Sequence, residues 1–482
     1  MLRSVTKYSF LRRKVPAPSS SSLWLRMTHT ATEEGKSTDR VRIVVVGTGW
    51  AGYKLLVKGN ERRDDIEHAL GKPVDFVVIS ERNHFLYTPL LASTTVGTLE
   101  FRSITEPVRE SSFRREQDFI MASVQSIDTD SKQVQCKSTL SDDLRYNINY
   151  DMLVVACGSV PSTFGLPGVV EHAFFLKEVH HARAIRRRIL ENFELATQPG
   201  VSEATQRQLL HFIVVGGGPT GIEFCAELYD FVNEDLTRLY PQVSNFLQVS
   251  LIDAGQILSM FNASLRERAM RKIEHRSSMH VIKHNCKEVR ADAVVLDTGE
   301  VIPCGLVVWT AGVGPNTLTK SLPWAKSKRG NILTNQFCQV LGVEPSPHDS
   351  KSFLGLENPS AVFAIGDCAD IEDYPLPATA QKAQGQALYL LGLLQKDKPS
   401  VEPYRFQSLG MMAYLGSYEG LFQAKDVTIN KQHQPLAKFD GWKAWLLWRS
   451  AYLTKLGSWR LRLQVPLDWF KAMVVGRDVS RF

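Results

Sequence analysis

Two short glycine-rich segments of the chain have a spacing suited to binding the phosphates of a dinucleotide. They are residues 47–52 (GTGWAG) and residues 216–221 (GGGPTG), and both read G-x-G-x-x-G. In this spacing the first glycine permits a tight turn, the second lets the backbone approach a pyrophosphate, and the third lets a helix pack closely on a strand. The N–H groups at the start of that helix then face the phosphate. The chain therefore carries two candidate dinucleotide sites.

The elements needed to position these turns are predicted around both of them. A buried strand is expected over residues 41–46 before the first turn and over residues 211–215 before the second, and a helix after each. Alternation of strands and helices is typical of parallel, doubly wound sheets. The predicted fold class is therefore α/β, with two Rossmann-like nucleotide-binding domains, the second inserted in the first. The expected domain limits are 40–160 together with 330–400, then 161–325, and a C-terminal unit at 401–482.

An acidic residue follows the second strand of each predicted unit. Ser80 and Glu81 come directly after the strand at residues 76–79, and Asp253 ends the strand at residues 249–252. A carboxylate at this place accepts hydrogen bonds from a ribose hydroxyl of the nucleotide. Asp253 would also repel a 2′-phosphate, so the second unit is expected to prefer NADH to NADPH.

A further strand end distinguishes the two units. The segment 361–367 (AVFAIGD) is predicted to be a strand that ends at Gly366 and Asp367. The glycine permits close approach, and the carboxylate can accept hydrogen bonds from the ribityl chain of FAD. Small residues at 156–158 and 311–312 would let the backbone cross between the units close to a cofactor. The first site is therefore expected to bind FAD and the second NADH.

The ordered motifs GTGWAG, VVACGS, GGGPTGIEF, VVWTAGV and AIGDCAD resemble those of flavoproteins with two dinucleotide-binding domains. Three further segments, FLYTPLL, FLKEV and AQKAQ, make the chain similar to the type II NADH:quinone oxidoreductases, the single-subunit alternative NADH dehydrogenases of respiratory membranes. The resemblance extends from about residue 41 to residue 482. It implies that electrons pass from NADH through FAD to membrane ubiquinone, without proton pumping.

The resemblance also assigns roles to individual residues. It makes Glu178 a candidate for coupling protons to the flavin site, and it makes Gln381 and Gln384, one helical turn apart, candidates for hydrogen bonds to the quinone carbonyls. Gln384 and Gly385 depart from the family pattern, which has a histidine or a glutamine in this part of the helix. The residues expected at FAD are Gly47, Gly49, Trp50, Ala51, Gly52, Ser80, Glu81, Thr88, Pro89, Ala156, Cys157, Gly158, Gly366, Asp367, Ala380 and Gln381. The residues expected at NADH are Gly216, Gly217, Gly218, Pro219, Thr220, Gly221, Glu223, Asp253, Ala311 and Gly312.

Two other functions fit part of these motifs. Cys157, near the expected flavin, is similar to a cysteine of sulfide:quinone reductase, which needs two cysteines flanking the flavin, and Cys368 is the second candidate. A redox-sensing flavoprotein of the apoptosis-inducing type is an alternative from a different functional class. The helix after the first glycine turn has no cysteine pair, which argues against a disulfide reductase.

The two ends of the chain indicate a location. Residues 1–35 are basic, rich in serine and almost free of acidic residues, a composition typical of a mitochondrial transit peptide. Residues 441–482 combine tryptophans and leucines at three- and four-residue steps with lysines and arginines, as in an amphipathic helix that lies on a membrane. We expect a peripheral protein of the mitochondrial inner membrane, on the matrix side, with room for a homodimer.

Composition argues against several other classes of protein. The net charge of +7 is mild for 482 residues and forms no basic stripe, so a nucleic-acid partner is not expected. Seven scattered cysteines without a CxxC pair indicate neither a metal site nor a disulfide framework. No stretch reaches the roughly 18 apolar residues of a transmembrane helix.

Overall fold

The computed structural model describes residues 40–111, 113–344, 360–395, 402–424, 426–429, 432–435 and 438–480. The segment 1–35, predicted to be a transit peptide, lies outside these residues. The helices are α1 (Trp50–Glu61), α2 (Arg63–Leu70), α3 (Leu91–Thr94), α4 (Val169–His172), α5 (Val179–Ala196), α6 (Glu203–Leu209), α7 (Pro219–Phe231), α8 (Thr237–Leu239), α9 (Ala263–Glu274), α10 (Thr317–Ser321), α11 (Ala380–Leu394), α12 (Gly441–Lys455) and α13 (Trp459–Val475).

The strands are short, and most of them belong to two large sheets. They are β1 (Val41–Val46), β2 (Val74–Ser80), β3 (His84–Leu86), β4 (Thr105–Pro107), β5 (Phe119–Asp128), β6 (Gln133–Ser138), β7 (Arg145–Asn149), β8 (Met152–Val155), β9 (Ser159–Pro161), β10 (Phe174–Phe175), β11 (His211–Val215), β12 (Gln248–Ile252), β13 (Met279–Ile282), β14 (Cys286–Val289), β15 (Ala293–Leu296), β16 (Val301–Pro303), β17 (Leu306–Trp309), β18 (Val313–Pro315), β19 (Ile332–Thr334), β20 (Val362–Ala364), β21 (Ala369–Ile371), β22 (Met411–Gly416), β23 (Glu419–Gln423), β24 (Asp426–Ile429), β25 (Gln432–Pro435) and β26 (Lys438–Asp440).

The first sheet, as far as the structure describes it, has seven strands in the order β20-β8-β1-β2-β5-β6-β7. The strands from β20 to β5 run parallel, and β6 and β7 continue the sheet antiparallel. Val44 of β1 lies opposite Val77 of β2 and Leu153 of β8. Helices cover both faces of a parallel sheet, so its strands are apolar runs, as residues 43–46 of β1, residues 76–79 of β2 and all of β8 are here. Strand β20 joins from far along the chain, so two separate segments build this sheet.

The second sheet consists, in the described residues, of five parallel strands in the order β10-β17-β11-β12-β13, with a three-stranded antiparallel sheet β14-β15-β16 beside it. All of its strands lie between the two segments of the first sheet in sequence. The predicted α/β class with two such sheets is confirmed, while the exact domain limits stay a prediction.

A single hydrophobic core connects the two sheets with the C-terminal part of the chain. It contains Leu55 of α1, Phe224 of α7 and Trp448 of α12, each at most 3% exposed. A second cluster covers the other face of the first sheet and includes Val155 and Trp324. The antiparallel strands β9 and β18 cross between the two units. The units therefore hold their nucleotide turns in a fixed relation to each other.

The C-terminal unit begins with short strands and ends with two helices. Strands β22, β23 and β26 form an antiparallel sheet, and β24 and β25 form a separate hairpin. The sequence predicts two or three strands at 408–440, and the described residues form five, because the hairpin turns back within this segment. The helix predicted at 378–395 and the strand predicted at 361–365 are α11 and β20, both slightly shorter. Among the described helices none is long and apolar enough to cross a bilayer.

Candidate functional site

The first glycine turn connects β1 to α1 and leaves open space at its middle glycine. Gly47 has a φ of +105°, and a Cβ there would lie 2.4 Å from the carbonyl oxygen of Ala156. A Cβ on Gly52 would lie 2.0 Å from the carbonyl oxygen of Gly47. A Cβ on Gly49 would meet no atom within 4 Å. The two outer glycines are thus required by the packing, and the middle one faces a space that a pyrophosphate can occupy.

Side chains around this turn bring several expected FAD residues together. The hydroxyls of Thr48 and Ser80 are 2.8 Å apart, and Glu81 beyond them is exposed. The indole N–H of Trp50 donates to Thr88 Oγ1 at 2.9 Å, and Pro89 follows Thr88 in a short 3₁₀ turn. The Trp50 ring also packs against two aromatic rings of the following segment, those of Phe85 and Tyr87.

The Gly366–Asp367 turn lies against the first glycine turn. A Cβ on Gly366 would be 3.4 Å from Cβ of Ala51 and 3.5 Å from Cβ of Ala383 in α11. The Asp367 carboxylate accepts a hydrogen bond from Ser159 Oγ at 3.0 Å and lies 3.8 Å from Nζ of Lys177. The first glycine turn, the end of β8, the Gly-Asp turn and the start of α11 therefore form one continuous site. The residues present fit FAD: the first glycine turn would hold its pyrophosphate, and the end of β8, the Gly-Asp turn and the start of α11 would hold its ribityl chain and ring.

Gln386 is a site residue that the sequence did not single out. It is fully buried, and its Oε1 accepts the N–H of Gly366 at 2.8 Å, which fixes the Gly-Asp turn to α11. Its amide also contacts the thiol of Cys338: burial raises the pKa of this thiol, and the Gln386 amide opposes the shift. The sequence does contain a signal for Gln386, which is an amide side chain on the apolar face of a helix. A buried amide needs a hydrogen-bond partner.

The second glycine turn repeats the geometry of the first. A Cβ on Gly216, where φ is +114°, would lie 2.8 Å from the N atom of Ala311, and a Cβ on Gly221 would lie 2.0 Å from the carbonyl oxygen of Gly216. The middle glycine, Gly218, again meets no atom within 4 Å. Helix α7 begins directly after it, with Pro219 and Thr220 as its first residues.

Asp253 is held by the backbone on both sides of this turn. Its Oδ2 accepts the N–H of Gly217 at 2.5 Å, and its Oδ1 accepts the N–H of Gly255 at 2.7 Å. Gly312, with a φ of +67°, lies under the ring of Phe164, which leaves no room for a side chain. The carboxylate is therefore fixed at the rim of the turn, where ribose hydroxyls can donate to its remaining lone pairs.

Glu178 lies at a contact between the two units. It is the N-cap residue of α5, and its carboxylate forms an ion pair with Arg82, which follows Glu81 in the first unit. Its side chain is 33% exposed. The N–H of Glu178 donates to Nδ1 of His181 at 3.1 Å, and burial lowers the pKa of His181 to about 4. His181 is therefore neutral and acts as a hydrogen-bond acceptor.

The structure gives Gln381 different partners from those expected. Its Nε2 donates to the carbonyl oxygen of Gly410 at 2.8 Å, and its Oε1 accepts the N–H of Leu409 at 2.7 Å. Both polar atoms of the amide therefore have backbone partners that attach the start of α11 to the C-terminal unit, beside Ala380, and the contact of Gln381 with a quinone stays a prediction. Gln384 is half-buried one turn further on. A Cβ on Gly385 would lie 2.6 Å from the hydroxyl of Tyr404, so the aromatic ring explains the glycine.

Glu223 also differs in its position from the other residues expected at NADH. It is 8% exposed, and its Oε1 accepts the N–H of Tyr414 in the C-terminal unit at 3.3 Å. Burial raises the pKa of Glu223 to about 8, although the Tyr414 N–H opposes this shift. Its carboxyl group therefore faces the C-terminal unit and can hold a proton at neutral pH.

The two cysteines that could support a sulfide enzyme lie side by side. A hydrogen bond from Cys368 lowers the pKa of the Cys157 thiol to about 7, and the same contact raises the pKa of Cys368. Cys157 Sγ lies 3.4 Å from Thr319 Oγ1, and Cys368 Sγ lies 3.4 Å from the carbonyl oxygen of Val155. Both belong to the cluster that covers one face of the first sheet. They are neighbours of each other rather than residues on two sides of a ring.

Two family models together match most of the chain. The family model of pyridine nucleotide-disulphide oxidoreductases matches residues 41–387, and that of the NDH2 C-terminal domain matches residues 409–478. The chain belongs to the type II NADH dehydrogenases. This confirms the resemblance predicted from the motifs, and the sulfide and redox-sensor alternatives are not favoured.

Several relatives and solved structures resemble this type II NADH dehydrogenase over nearly its whole length. A probable NADH dehydrogenase of Dictyostelium discoideum is 41% identical over 93% of each chain. The internal alternative NAD(P)H-ubiquinone oxidoreductase A1 of Arabidopsis thaliana, a mitochondrial protein, is 38% identical over 93% of this chain and 87% of its own.

The solved structures establish the fold. NDH2 of Plasmodium falciparum in complex with NADH aligns with a TM-score of 0.78 and 22% identity, over 91% of this chain and 99% of its own. The sulfide:quinone oxidoreductase of Aquifex aeolicus aligns with a TM-score of 0.64 and 16% identity, over 91% and 96%. At these identities the likeness concerns the fold alone.

Proposed function

We propose that the chain is a mitochondrial NADH:quinone oxidoreductase that passes electrons from NADH through FAD to ubiquinone. The observation that carries this function is the pair of glycine turns, each open at its middle glycine and fixed in one core with the C-terminal unit. Relatives that the chain matches over nine-tenths of its length are named NAD(P)H-ubiquinone oxidoreductases of mitochondria.

FAD is assigned to the first site. The N–H groups at the start of α1 beside Gly49 would hold its pyrophosphate, Glu81 would accept a hydrogen bond from its ribose, and Asp367 would accept one from its ribityl chain. Lys177 and Ser159 keep the Asp367 carboxylate in place. When bound, FAD accepts the two electrons of NADH and passes them on to a quinone.

NADH is assigned to the second site. Its pyrophosphate faces the start of α7 beside Gly218, and its adenosine ribose donates to Asp253. A 2′-phosphate would place negative charge next to this fixed carboxylate, so NADH is preferred to NADPH.

Glu223 is assigned to proton transfer at the quinone. It lies on the first turns of α7, close to the NADH turn, yet its carboxyl group faces the C-terminal unit. A carboxyl with a pKa of about 8 is protonated at neutral pH and can donate a proton to a quinone oxygen. Gln384 stays a candidate for contact with the quinone, while Glu178, fixed by Arg82, is assigned to positioning the two units.

The C-terminal helices are assigned to binding the surface of the inner membrane, on its matrix side. Helices α12 and α13 bury Trp448 and Trp469 in the core but leave Trp442 62%, Trp459 76% and Phe470 59% exposed. Lysines and arginines alternate with these rings, as in helices that lie at the headgroup level of anionic lipid. A homodimer through the same region stays a prediction.

A stopped-flow experiment tests the electron path. NADH should bleach the flavin absorbance rapidly, and a short-chain ubiquinone should restore it rapidly. Bleaching by sulfide would support a sulfide enzyme instead, and slow reoxidation by ubiquinone would support a redox sensor. In sealed vesicles, turnover should move no protons across the membrane, and a direct change in lumenal pH would contradict the absence of proton pumping.

A flotation experiment tests the membrane surface. Replacing Trp442, Trp459 and Phe470 by serine should release the protein from vesicles that contain anionic lipid, because exposed apolar area and charge both bind it. The control replaces the exposed Leu140, which is 77% exposed in the first unit, by serine. Equal binding of all variants would contradict the assignment.

A further inference from the structure

Helix α7 carries three buried carboxyl groups along one face. Glu223, Glu227 and Asp230 follow each other at steps of four and three residues, and they are 8%, 4% and 4% exposed. Residues at these steps are neighbours on a helix surface, with about 5–6 Å between Cβ atoms. Burial of charged carboxylates is unfavourable unless they are paired or share protons. The function described above accounts for Glu223 but not for the other two.

Glu227 connects three parts of the molecule. Its Oε1 accepts a hydrogen bond from Ser93 Oγ at 2.6 Å, and its Oε2 accepts from Thr98 Oγ1 at 2.7 Å. Thr98 in turn accepts from Nε of Arg477, near the end of the chain, at 2.9 Å. Burial raises the pKa of Glu227, and the Arg477 guanidinium opposes this shift. The Thr98 hydroxyl donates to Glu227 and accepts from the guanidinium, so it holds the Glu227 carboxylate in one orientation.

Tyr414 connects the two ends of the carboxyl row. Its backbone N–H donates to Glu223, and its hydroxyl donates to Oδ2 of Asp230 at 2.6 Å. The N–H of Ser417 also donates to Asp230 at 3.0 Å. Asp230 lies near Arg276, whose charge compensates its own. The C-terminal unit therefore contacts both ends of this row of carboxyl groups.

A small cavity borders Glu227 and Asp230. Its volume is about 30 Å³, and it is lined by Glu227, Asp230, Tyr414, Trp448, Arg449 and Arg477 among others. A water molecule requires roughly 10–15 Å³ and two to four polar partners. The indole N–H of Trp448, a residue that is 3% exposed, faces the carboxyl group of Glu223 and opposes the rise of its pKa. Nε of Arg449 makes no hydrogen bond with the described residues and is available to water in this cavity.

The cavity leads to the molecular surface. Its outer lining includes Tyr418 and Met473, which are 43% and 59% exposed, and Glu234, whose side chain is 44% exposed. Charged or titratable groups that face Glu227 are Arg477, Arg449, Asp230 and Glu223. Glu223 is protonated at neutral pH, so the two arginines compensate the charges of Glu227 and Asp230.

Quinol formation needs a proton that NADH does not supply. One NADH, one quinone and one proton give one NAD⁺ and one quinol, so NADH provides two electrons and one proton, and solvent provides the other. We propose that Glu227 and the adjoining cavity conduct this proton from solvent to Glu223, an inference that rests on the proposed function. Glu227 acts through Glu223 and is a positioning and relay residue, while Glu223 is the donor at the quinone.

The experiment measures the two half-reactions separately in the holoenzyme. In Glu227→Gln, NADH should bleach the flavin at the wild-type rate, and reoxidation by a short-chain ubiquinone should be slower by roughly tenfold or more. Reoxidation should show a larger solvent deuterium isotope effect and lose its pH dependence near neutrality. Ferricyanide, an acceptor that takes up no proton, should reoxidise the flavin at the wild-type rate. Glu227→Asp should restore part of the lost rate.

A matched control removes a buried carboxylate that does not line the cavity. Asp235 lies on the same helical segment, is 3% exposed and pairs with Arg477 at 2.9 Å. Asp235→Asn should lower the stability of the protein but leave the isotope effect and the pH profile of reoxidation unchanged. If the role of Glu227 were only to hold the three parts of the molecule together, Glu227→Gln and Asp235→Asn would behave alike. This outcome would overturn the proposal.

A second variant decides the question if Glu227→Gln fails to retain FAD. Thr98→Val keeps the carboxyl group and removes the hydroxyl between Glu227 and Arg477, so reoxidation by ubiquinone should slow several-fold with a larger isotope effect. Wild-type behaviour of this variant would overturn the proposal. If the wild-type enzyme itself were not reoxidised by ubiquinone, the proposed function would fail, which is a different result from the failure of the relay.

Discussion

The two glycine turns have a similar backbone geometry and differ in the segments that pack against them. In both, a Cβ on the third glycine would lie 2.0 Å from the carbonyl oxygen of the first, and the middle glycine faces open space. The first turn is closed by a distant strand end, since Gly366 packs on Ala51, and by the aromatic contacts of Trp50. The second turn is closed from within its own unit, by Thr310 and Ala311 after β17 and by Asp253 with its backbone partners. The same turn can therefore enclose a resident cofactor or admit an exchanging one.

The helices that follow the turns differ as well. The buried residues of α1 are apolar apart from Tyr53 and the glycines, whereas α7 buries Glu223, Glu227 and Asp230. The first helix thus contributes a hydrophobic surface to the FAD unit. The second helix contributes groups that can hold protons, and it presents them to the C-terminal unit. Two helices that follow the same kind of turn can therefore have different functions.

The largest effect is expected from replacing the third glycine of each turn by alanine. Gly52→Ala should yield protein without flavin absorbance, because the new Cβ would overlap the carbonyl oxygen of Gly47. Gly221→Ala should retain FAD but lose flavin bleaching by NADH, by roughly 100-fold, which corresponds to about 3 kcal/mol. Gly392→Ala in α11, where a Cβ meets no atom within 4 Å, should behave like wild type. Loss of FAD in Gly221→Ala would contradict the distinction between the turns.

A smaller effect should separate the two acids that face the nucleotides. Asp253→Asn should raise the KM for NADH about tenfold, because a charged acceptor of the ribose hydroxyls becomes neutral, while the KM for NADPH changes little. The amide oxygen still accepts one backbone N–H, so the turn should persist. Glu81→Gln should leave the KM for NADH unchanged. An unaltered ratio of NADH to NADPH activity in Asp253→Asn would show that this carboxylate does not set the preference.

The pH dependence of stability should reveal the buried carboxyl of α7. The folded pKa of Glu223, about 8, lies above the unfolded value of 4.5, so folding takes up a proton between these pH values. The free energy of unfolding of the wild type should therefore fall, relative to Glu223→Gln, as the pH rises from about 5 to 8, by at most about 1.4 kcal/mol per pH unit. Denaturant titrations at several pH values measure this difference. If the difference between the two free energies of unfolding stayed constant from about pH 5 to 8, Glu223 in the folded protein would already be ionised at about pH 5.

The smallest effect is expected at the neighbouring thiols. Cys368→Ser should reduce ubiquinone with NADH at a rate within about twofold of wild type, since a buried cysteine serves mainly as a small apolar group. Neither protein should be bleached by sulfide. If Cys368→Ser abolished quinone reduction, the two thiols would take part in the electron transfer after all.

Local motifs predicted the fold more completely than the site. The strands before each glycine turn, the strand before Gly366 and helix α11 all lie where short apolar runs and glycine spacing indicate them. The partners of Asp253 follow from the same turn, because Gly217 and Gly255 belong to adjacent loops. These features depend on residues near one another in sequence or on a recurring motif.

The remaining site features depend on partners from distant segments. Gln381 bonds to the backbone at residues 409–410, because the C-terminal unit packs on the start of α11. Glu223 faces Tyr414, which is 191 positions away in sequence, and Thr98 bonds to Arg477, which is 379 positions away. Helical spacing gives the face of α7 on which the acids lie, but not the unit that covers that face.

The split construction of the first sheet has a consequence for the order in which the molecule assembles. Strands β10 to β17 are contiguous in sequence, so the second sheet can form as soon as residue 309 is available. The first sheet waits for β20, and its contact between Cys368 and Val155 closes a loop of 213 positions. Long-range closures of this kind form late in folding. The unit for the resident flavin is therefore completed after the unit for NADH, and capture of FAD should follow the folding of that second unit.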